Sequence, residues 1–394
     1  MSYNRILTPR FFINTPTWLF SRGLATSEWE KITGTYNGSP NDIELMDGNV
    51  ANRVSFDTSG NTGAHIFFQM DLTLTGSIPI GYVAILNHNL SSADGRIRVM
   101  HTVDFGTTDG TTENKLIESG QNFSATVNSG DRVVNTTDST LAYVTNVDSD
   151  TQLTLNNDIM VSGESYNIFT TVSGLASVVN GTVDSDGGAG SEDVADPPYD
   201  GSTIITFDEV TNKRYWAIEI EDDSAFSGTD LEMGLIQLGE VYTMPNAPDL
   251  AVKRSFSQDG VAVMESAGGK RYANARWLRG STSTNNQFGQ PFRVPYASYL
   301  RRPSGRQLLD MQFSYINDTD LLTSDLEDIT SGDTTIGDVW MKTGGELYPF
   351  IFTPDSTSTT SGDYLWARFG QNSLDMTQVA NDVWNIKMRI EEEF

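Results

Sequence analysis

Polar and apolar residues alternate with a period of two through most of this chain, and that pattern restricts it to half-buried strands. From Ala64 onward, Ile66, Phe68, Met70, Leu72 and Leu74 fall on one face while His65, Gln69, Asp71, Thr73 and Thr75 fall on the other. The pattern recurs with Trp216, Ile218 and Ile220 against Ala217, Glu219 and Glu221, and with Trp384, Ile386, Met388 and Ile390 against Asn385, Lys387, Arg389 and Glu391. Residues 82–86 are apolar at every position, the mark of a central strand covered on both faces. Helical signals are confined to a capped stretch at 323–329 and another at 336–342, stopped by Gly344 and Gly345. The fold class is therefore all-β, with short helices in the connections.

The strands are not consecutive. The run IPIGYVAILNHNLSSADGRIRVMHT at 78–102 and the run RYWAIEIEDDSAFSGTDLEMGLIQLGEVY at 214–242 read as core strands of one sandwich, with more than a hundred residues between them. Within that gap, short strands at 132–135, 142–147, 152–155 and 166–169 are separated by turn clusters, the spacing of a small antiparallel barrel. Residues 184–201 form an acidic Gly/Pro-rich loop, and MPNAPD at 244–249 reads as a linker. The expected organisation is a discontinuous sandwich of 1–103 and 170–245, an inserted barrel at 104–169, and a C-terminal β-domain at 246–394 for assembly.

The chain of 394 residues has room for two or three domains, and its lack of cysteine excludes disulfides and thiolate metal sites. With 25 basic against 52 acidic side chains, the net charge of -27 argues against general nucleic-acid binding, because phosphate backbones are repelled. The N-terminal run MSYNRILTPRFFINTPTWLF is broken by Asn14 and Pro16 and does not read as a signal peptide. No stretch is long and apolar enough for a membrane helix, so no membrane insertion is expected.

The combination of IELMDGNVANRVSFDTSG, VAILNHNLSS, RYWAIEIEDD and MGLIQLGEVY resembles the discoidin-like, galactose-binding jelly rolls, over about residues 20–103 and 203–243. The inserted unit, with GDRVVNTTDSTLAYVTNVDSDTQLTL and SGESYNI, looks like a cassette of tailed-bacteriophage structural proteins. The C-terminal portion, with LLDMQFSYINDTDLL, YPFIFTPDST and RFGQNSLDMTQVANDVWNIKMRIEEEF, is similar to tail-associated virion proteins and loosely to distal tail proteins. These resemblances imply a structural component of the tail tip or baseplate ring. It would be assembled in the host cytoplasm, and its partners would be other virion tail proteins and its own copies. The alternatives are a host-glycan-binding tail module and a polysaccharide-degrading tail enzyme.

Charge supplies the sharpest local anomaly. Between Lys253 and Arg306 lie ten basic residues, Lys253, Arg254, Lys270, Arg271, Arg276, Arg279, Arg293, Arg301, Arg302 and Arg306, against only Asp259 and Glu265. Such an island suits docking on an acidic neighbour, including another copy of this acidic chain. Its plainer reading is solvated loops or internal pairing. GGKRY at 268–272 lacks the spacing of a phosphate loop and reads as a turn or bulge. Asn87, His88 and Asn89, where a strand enters a loop, are candidate glycan contacts, or else an Asn-rich turn satisfying its own backbone. Asp184, Asp186, Glu192, Asp193 and Asp196 offer oxygen ligands without the ordered spacing of a calcium loop, so no metal site is assigned. His65, His88 and His101 are the only histidines, and no hydrolase or phosphate-loop motif accompanies them. The expectation is no catalytic residue and no cofactor.

Overall fold

The computed structural model describes residues 6–23, 28–38, 42–50, 52–58, 65–73, 78–185, 193–222, 226–257, 261–275, 306–322 and 335–393. It is an antiparallel β structure with few short helices, as the alternation predicts. Ala64, Leu74, Thr75 and the expected helix at 323–329 lie outside the described residues. The second expected helix is present as Ile336–Thr343. Thr335 and Asp338 form a reciprocal capping box at its start, and Gly344, at φ +62°, closes it in the left-handed conformation that glycine adopts without strain.

Two large sheets form the sandwich. One runs Leu175–Val179, Gly201–Val210, Ile80–His88, Leu235–Thr243; the other runs Glu30–Lys31, His65–Asp71, Tyr215–Asp222, Gly95–Thr107. Between them Val83, Ile85, Ile236 and Leu238 meet Ile66, Phe68, Ile218 and Ile220 in one core. The Ile80–His88 strand is buried along its whole length, because Tyr82, Ala84 and Leu86 on its other face are covered by Phe12, Tyr364 and Trp366.

The inserted segment continues the second sheet. Gly95–Thr107 is a 13-residue strand that runs out of the sandwich. Ser165–Thr171 returns along it, from the pair Ser165 and Thr107 to the pair Thr171 and Met100. Arg132–Asn135, Thr140–Ser149, Gln152–Leu155 and Lys115–Ile117 follow in that order. They enclose a core of Leu116, Phe123, Val133, Val144, Leu153 and Ile168.

The N-terminal strand Arg10–Asn14 decides how the C-terminal strands attach. It pairs with Leu235–Thr243 of the sandwich on one side and with Phe350–Thr353 on the other, so the first sheet continues into Leu365–Phe369, Val383–Glu392, Arg306–Asn317 and Lys253–Ser257. Period two makes the strand serve both sides. Phe11 enters the C-terminal core, 5.1 Å from Phe352 and 5.6 Å from Phe350, while Phe12 faces Tyr82 at 5.1 Å. Gly239 lies opposite Asn14, where a Cβ would come 1.9 Å from the Ile13 carbonyl oxygen. Only glycine admits this close backbone approach.

Candidate functional site

The strand end at 87–89 turns its polar groups inward. Asn87, in the left-handed region at φ +56°, donates from Nδ2 to the Val50 carbonyl at 2.7 Å and accepts from Arg53 at 2.7 Å. His88 Nδ1 accepts the Leu90 amide at 3.2 Å, and Nε2 lies 3.0 Å from Thr203 Oγ1. Burial first, then the nearby Arg53 charge, carries the His88 pKa down to about 3. Asn89 donates to the Asp230 carbonyl and accepts the Glu232 amide, at 2.8 and 2.6 Å. The three side chains thus tie the strand end to distant parts of the chain, at Val50, Arg53, Thr203, Asp230 and Glu232, and not mainly to the backbone of their own turn.

The described part of the basic island divides into two groups. Arg254 donates from Nε to Gln307 Oε1 at 3.1 Å, and Arg306 Nη1 bonds Glu391 Oε1 at 2.9 Å, so both are held inside the C-terminal sheet. Lys253, Lys270 and Arg271 are exposed, and among the described residues Lys253 and Arg271 make long ionic contacts of 3.9 Å, to Asp310 and Glu265. Arg276, Arg279, Arg293, Arg301 and Arg302 lie outside the described residues.

Lys270 and Arg271 belong to a hairpin of Val261–Glu265 and Arg271–Ala275 that pairs with no other described strand. GGKRY supplies its turn: Gly269 takes φ +77°, and the Ser266 amide donates to the Lys270 carbonyl at 2.9 Å. Val263, Met264 and Tyr272 are 54, 73 and 55% exposed, and Lys270 Nζ sits 5.3 Å from the Tyr272 ring centroid. In the acidic loop, Asp193 Oδ2 accepts the Gly174 amide at 2.9 Å and Asp184 and Asp196 fall in a paired hairpin; Asp186 and Glu192 lie outside the described residues.

Two buried ionic seams escape the sequence reading. The first lies where the inserted segment covers the sandwich. Glu219 is fully buried, with Arg132 Nε at 2.9 Å from Oε2, and His65 Nδ1 and the Tyr143 hydroxyl at 3.0 and 3.3 Å from Oε1. Arg98 Nη2 bonds Glu221 at 2.8 Å. Burial alone would raise the Glu219 carboxyl, but the His65 bond and the Arg132 and Arg98 charges overcome it and hold it at about 2. His65, Glu219 and Glu221 are close enough together for metal ligands. Arg96, Arg98 and Arg132 already neutralise the two carboxylates and would repel a divalent cation, so the cluster acts as an ionic lock. Alternation placed His65, Glu219 and Glu221 on a polar face, and the inserted segment buries that face. A signal was present, since Glu219 and Glu221 sit in register with Arg98 and Arg96 on the neighbouring strand.

The second seam joins sandwich and C-terminal strands. Lys342, on the Ile336–Thr343 helix, reaches buried Glu240 and stands 5.5 Å from the Trp18 ring centroid. Nothing in the local sequence pairs these two residues, which are 102 positions apart.

No described helix is long and apolar enough to cross a membrane. No protein-family model matches the sequence, and no curated protein is significantly similar to it.

Proposed function

We propose that this chain is a structural component of a tailed-phage virion, an element of the tail tip or baseplate that works by assembling with other tail proteins and with its own copies. The sequence resemblance suggests the setting, and the exposed hairpin of Val261–Glu265 and Arg271–Ala275 carries the reading. A two-stranded hairpin is marginal in water unless something packs on it. This one presents Val263, Met264 and Tyr272 to solvent beside Lys270 and Arg271. Met264 and Tyr272 lie directly opposite each other on one face of the hairpin, and exposed apolar side chains paired in this way mark a docking surface.

The occupant that fits is a second copy. The hairpin belongs to a segment with ten basic and two acidic residues, in a chain whose net charge is -27, so the rest of each neighbour offers an acidic surface. A contact between two different patches of identical chains closes into a ring when the rotation permits.

Reconstruction of purified virions tests the setting, with the chain expected in the tail tip. Density in the capsid shell, or no such chain in the particle, removes it. Sedimentation of a chain carrying Met264→Ser, Lys270→Glu and Arg271→Glu tests the hairpin. Self-association is expected to weaken, and the charge contribution to fade as salt rises. Unchanged assembly would overturn the hairpin's role.

A further inference from the structure

The strand Thr182–Ser185 ends the second large sheet, pairing with Asp193–Asp196 and with no other described strand. Thr182, Val183 and Asp184 are exposed. An edge strand turns a row of backbone N–H and C=O groups outward, and that row is a template on which a further strand can pair. Lysine commonly guards such an edge. This one has no such guard, for the sequence holds no lysine or arginine between Arg132 and Lys213.

Charge sets this edge apart from the other described sheet ends. Lys253–Ser257 and Lys115–Ile117 carry basic side chains, Leu175–Val179 carries no charge, and Glu30–Lys31 is balanced. On Asp375–Ala380 the acidic Asp375 lies opposite Lys387. Glu232, on the short Leu231–Met233 strand, is bound by Arg53. At Thr182–Ser185, by contrast, Asp184 and Asp196 are both exposed, and they leave the edge acidic.

The hairpin of Val261–Glu265 and Arg271–Ala275 is its complement, with open edges of its own and with Lys270 and Arg271 exposed. When Arg271–Ala275 is added antiparallel to Thr182–Ser185 with Tyr272 opposite Val183, Arg271 falls opposite Asp184. The pairings already present extend both rows. Met264 opposes Tyr272 and Ala195 opposes Val183, which makes an apolar row across four strands, while Glu265 and Asp184 flank Arg271. Opposite charges, and an aromatic ring against a β-branched side chain, are favourable cross-strand pairs. A slip of one residue would put Tyr272 and Val183 on opposite faces, so the side chains fix the register.

We infer that the hairpin of one copy docks by strand addition on the Thr182–Ser185 edge of the next copy, with Arg271 opposite Asp184 and Tyr272 opposite Val183. The inference rests on the assembly reading and names the surface that receives the hairpin. Main-chain hydrogen bonds supply the affinity, and the side-chain rows supply the specificity. Addition also removes the weakness of an isolated hairpin, because three or more strands with a covered face are stable where two are marginal. Giving and receiving strands are different patches, so every copy carries one of each and the contact can repeat around a ring.

Sedimentation of three full-length variants tests it: Arg271→Asp, Asp184→Arg, and the two combined. Each single reversal sets like charges opposite each other and is expected to weaken association about tenfold. The combined chain carries the pair in exchanged order at every contact, so it is expected to recover most of the wild-type association. Circular dichroism checks that all three keep the fold. Wild-type association in Asp184→Arg beside a loss in Arg271→Asp overturns the inference and leaves the hairpin's own role standing. A combined variant no better than the weaker single one overturns it as well. Wild-type association in both single variants also overturns it, and if the chain with Met264→Ser, Lys270→Glu and Arg271→Glu assembles normally too, the assembly reading falls with it.

Discussion

Lys342 Nζ lies 2.6 and 2.7 Å from the two carboxylate oxygens of Glu240, with both side chains buried. Removing one partner of such a pair strands a charge away from water and costs about 3–5 kcal/mol, whereas replacing both by apolar groups of similar size is close to neutral. Lys342→Met is therefore expected to lower the urea midpoint sharply, and Lys342→Met with Glu240→Leu to recover most of the loss. A double variant as unstable as the single one would show that the pair contributes net stability.

Gly239→Ala is expected to loosen the N-terminal strand. The new methyl group would meet the Ile13 carbonyl at 1.9 Å, a backbone atom that cannot rotate away. Overpacking of this kind costs about 1–3 kcal/mol. Hydrogen exchange is the discriminating measurement: Phe12 and Ile13 amides should lose protection before those of Val83 and Ile85. Equal protection in both proteins would show that the strand absorbs the methyl group.

Phe11→Ala is expected to cost about 3–5 kcal/mol, because the ring is fully buried among Tyr242, Phe350, Phe352 and Phe369. Calorimetry should show the C-terminal strands affected along with the sandwich, since this one residue sits in the strand that joins them. A separate transition confined to one part would mean that the two fold independently.

Glu219→Ala is expected to cost about 3–5 kcal/mol by leaving Arg132 buried without its bonded counter-charge, while Arg98 keeps Glu221. Limited proteolysis should then cut first in the inserted segment at 108–164. Wild-type resistance there would assign the attachment to apolar packing and not to the ionic lock.

Stability is expected to fall as pH drops below 6.5. Burial first, helped by Arg53 at His88 and Lys213 at His101, carries these two pKa values down to about 3 and about 4. The unfolded chain takes up both protons near pH 6.5 while the folded chain refuses them. Each site then tilts the balance by up to about 1.4 kcal/mol per pH unit between 6.5 and its folded value. His65 acts oppositely: its hydrogen bond to Glu219 raises it, so its contribution is present below pH 6.5 and lost as pH rises through the folded pKa. Melting curves from pH 7.5 to 4.5 check the sum, and His88→Gln should flatten the slope. An unchanged slope would remove His88 from the account.

The alternation at 65–71 and 215–222 and the continuous apolar run at 82–86 made the strands legible, because period two reports local backbone geometry. The four short strands expected in the inserted segment are present as Arg132–Asn135, Thr140–Ser149, Gln152–Leu155 and Ser165–Thr171. The candidate sites were less legible. Asn87 and His88 stand at a loop entrance in the sequence, yet their role follows from Val50, Arg53 and Thr203, which only folding brings near.

By itself, then, the sequence determined an all-β chain, the positions of several of its strands, its one described capped helix and the concentration of basic charge after Lys253. Tertiary structure alone decided that Glu219 lies in an ionic lock instead of in water and that Lys342 meets Glu240. The physical reason is range. Alternation and capping act between near neighbours, whereas burial and charge pairing depend on which distant strand covers a face, and that choice rests on the summed packing of the whole sheet.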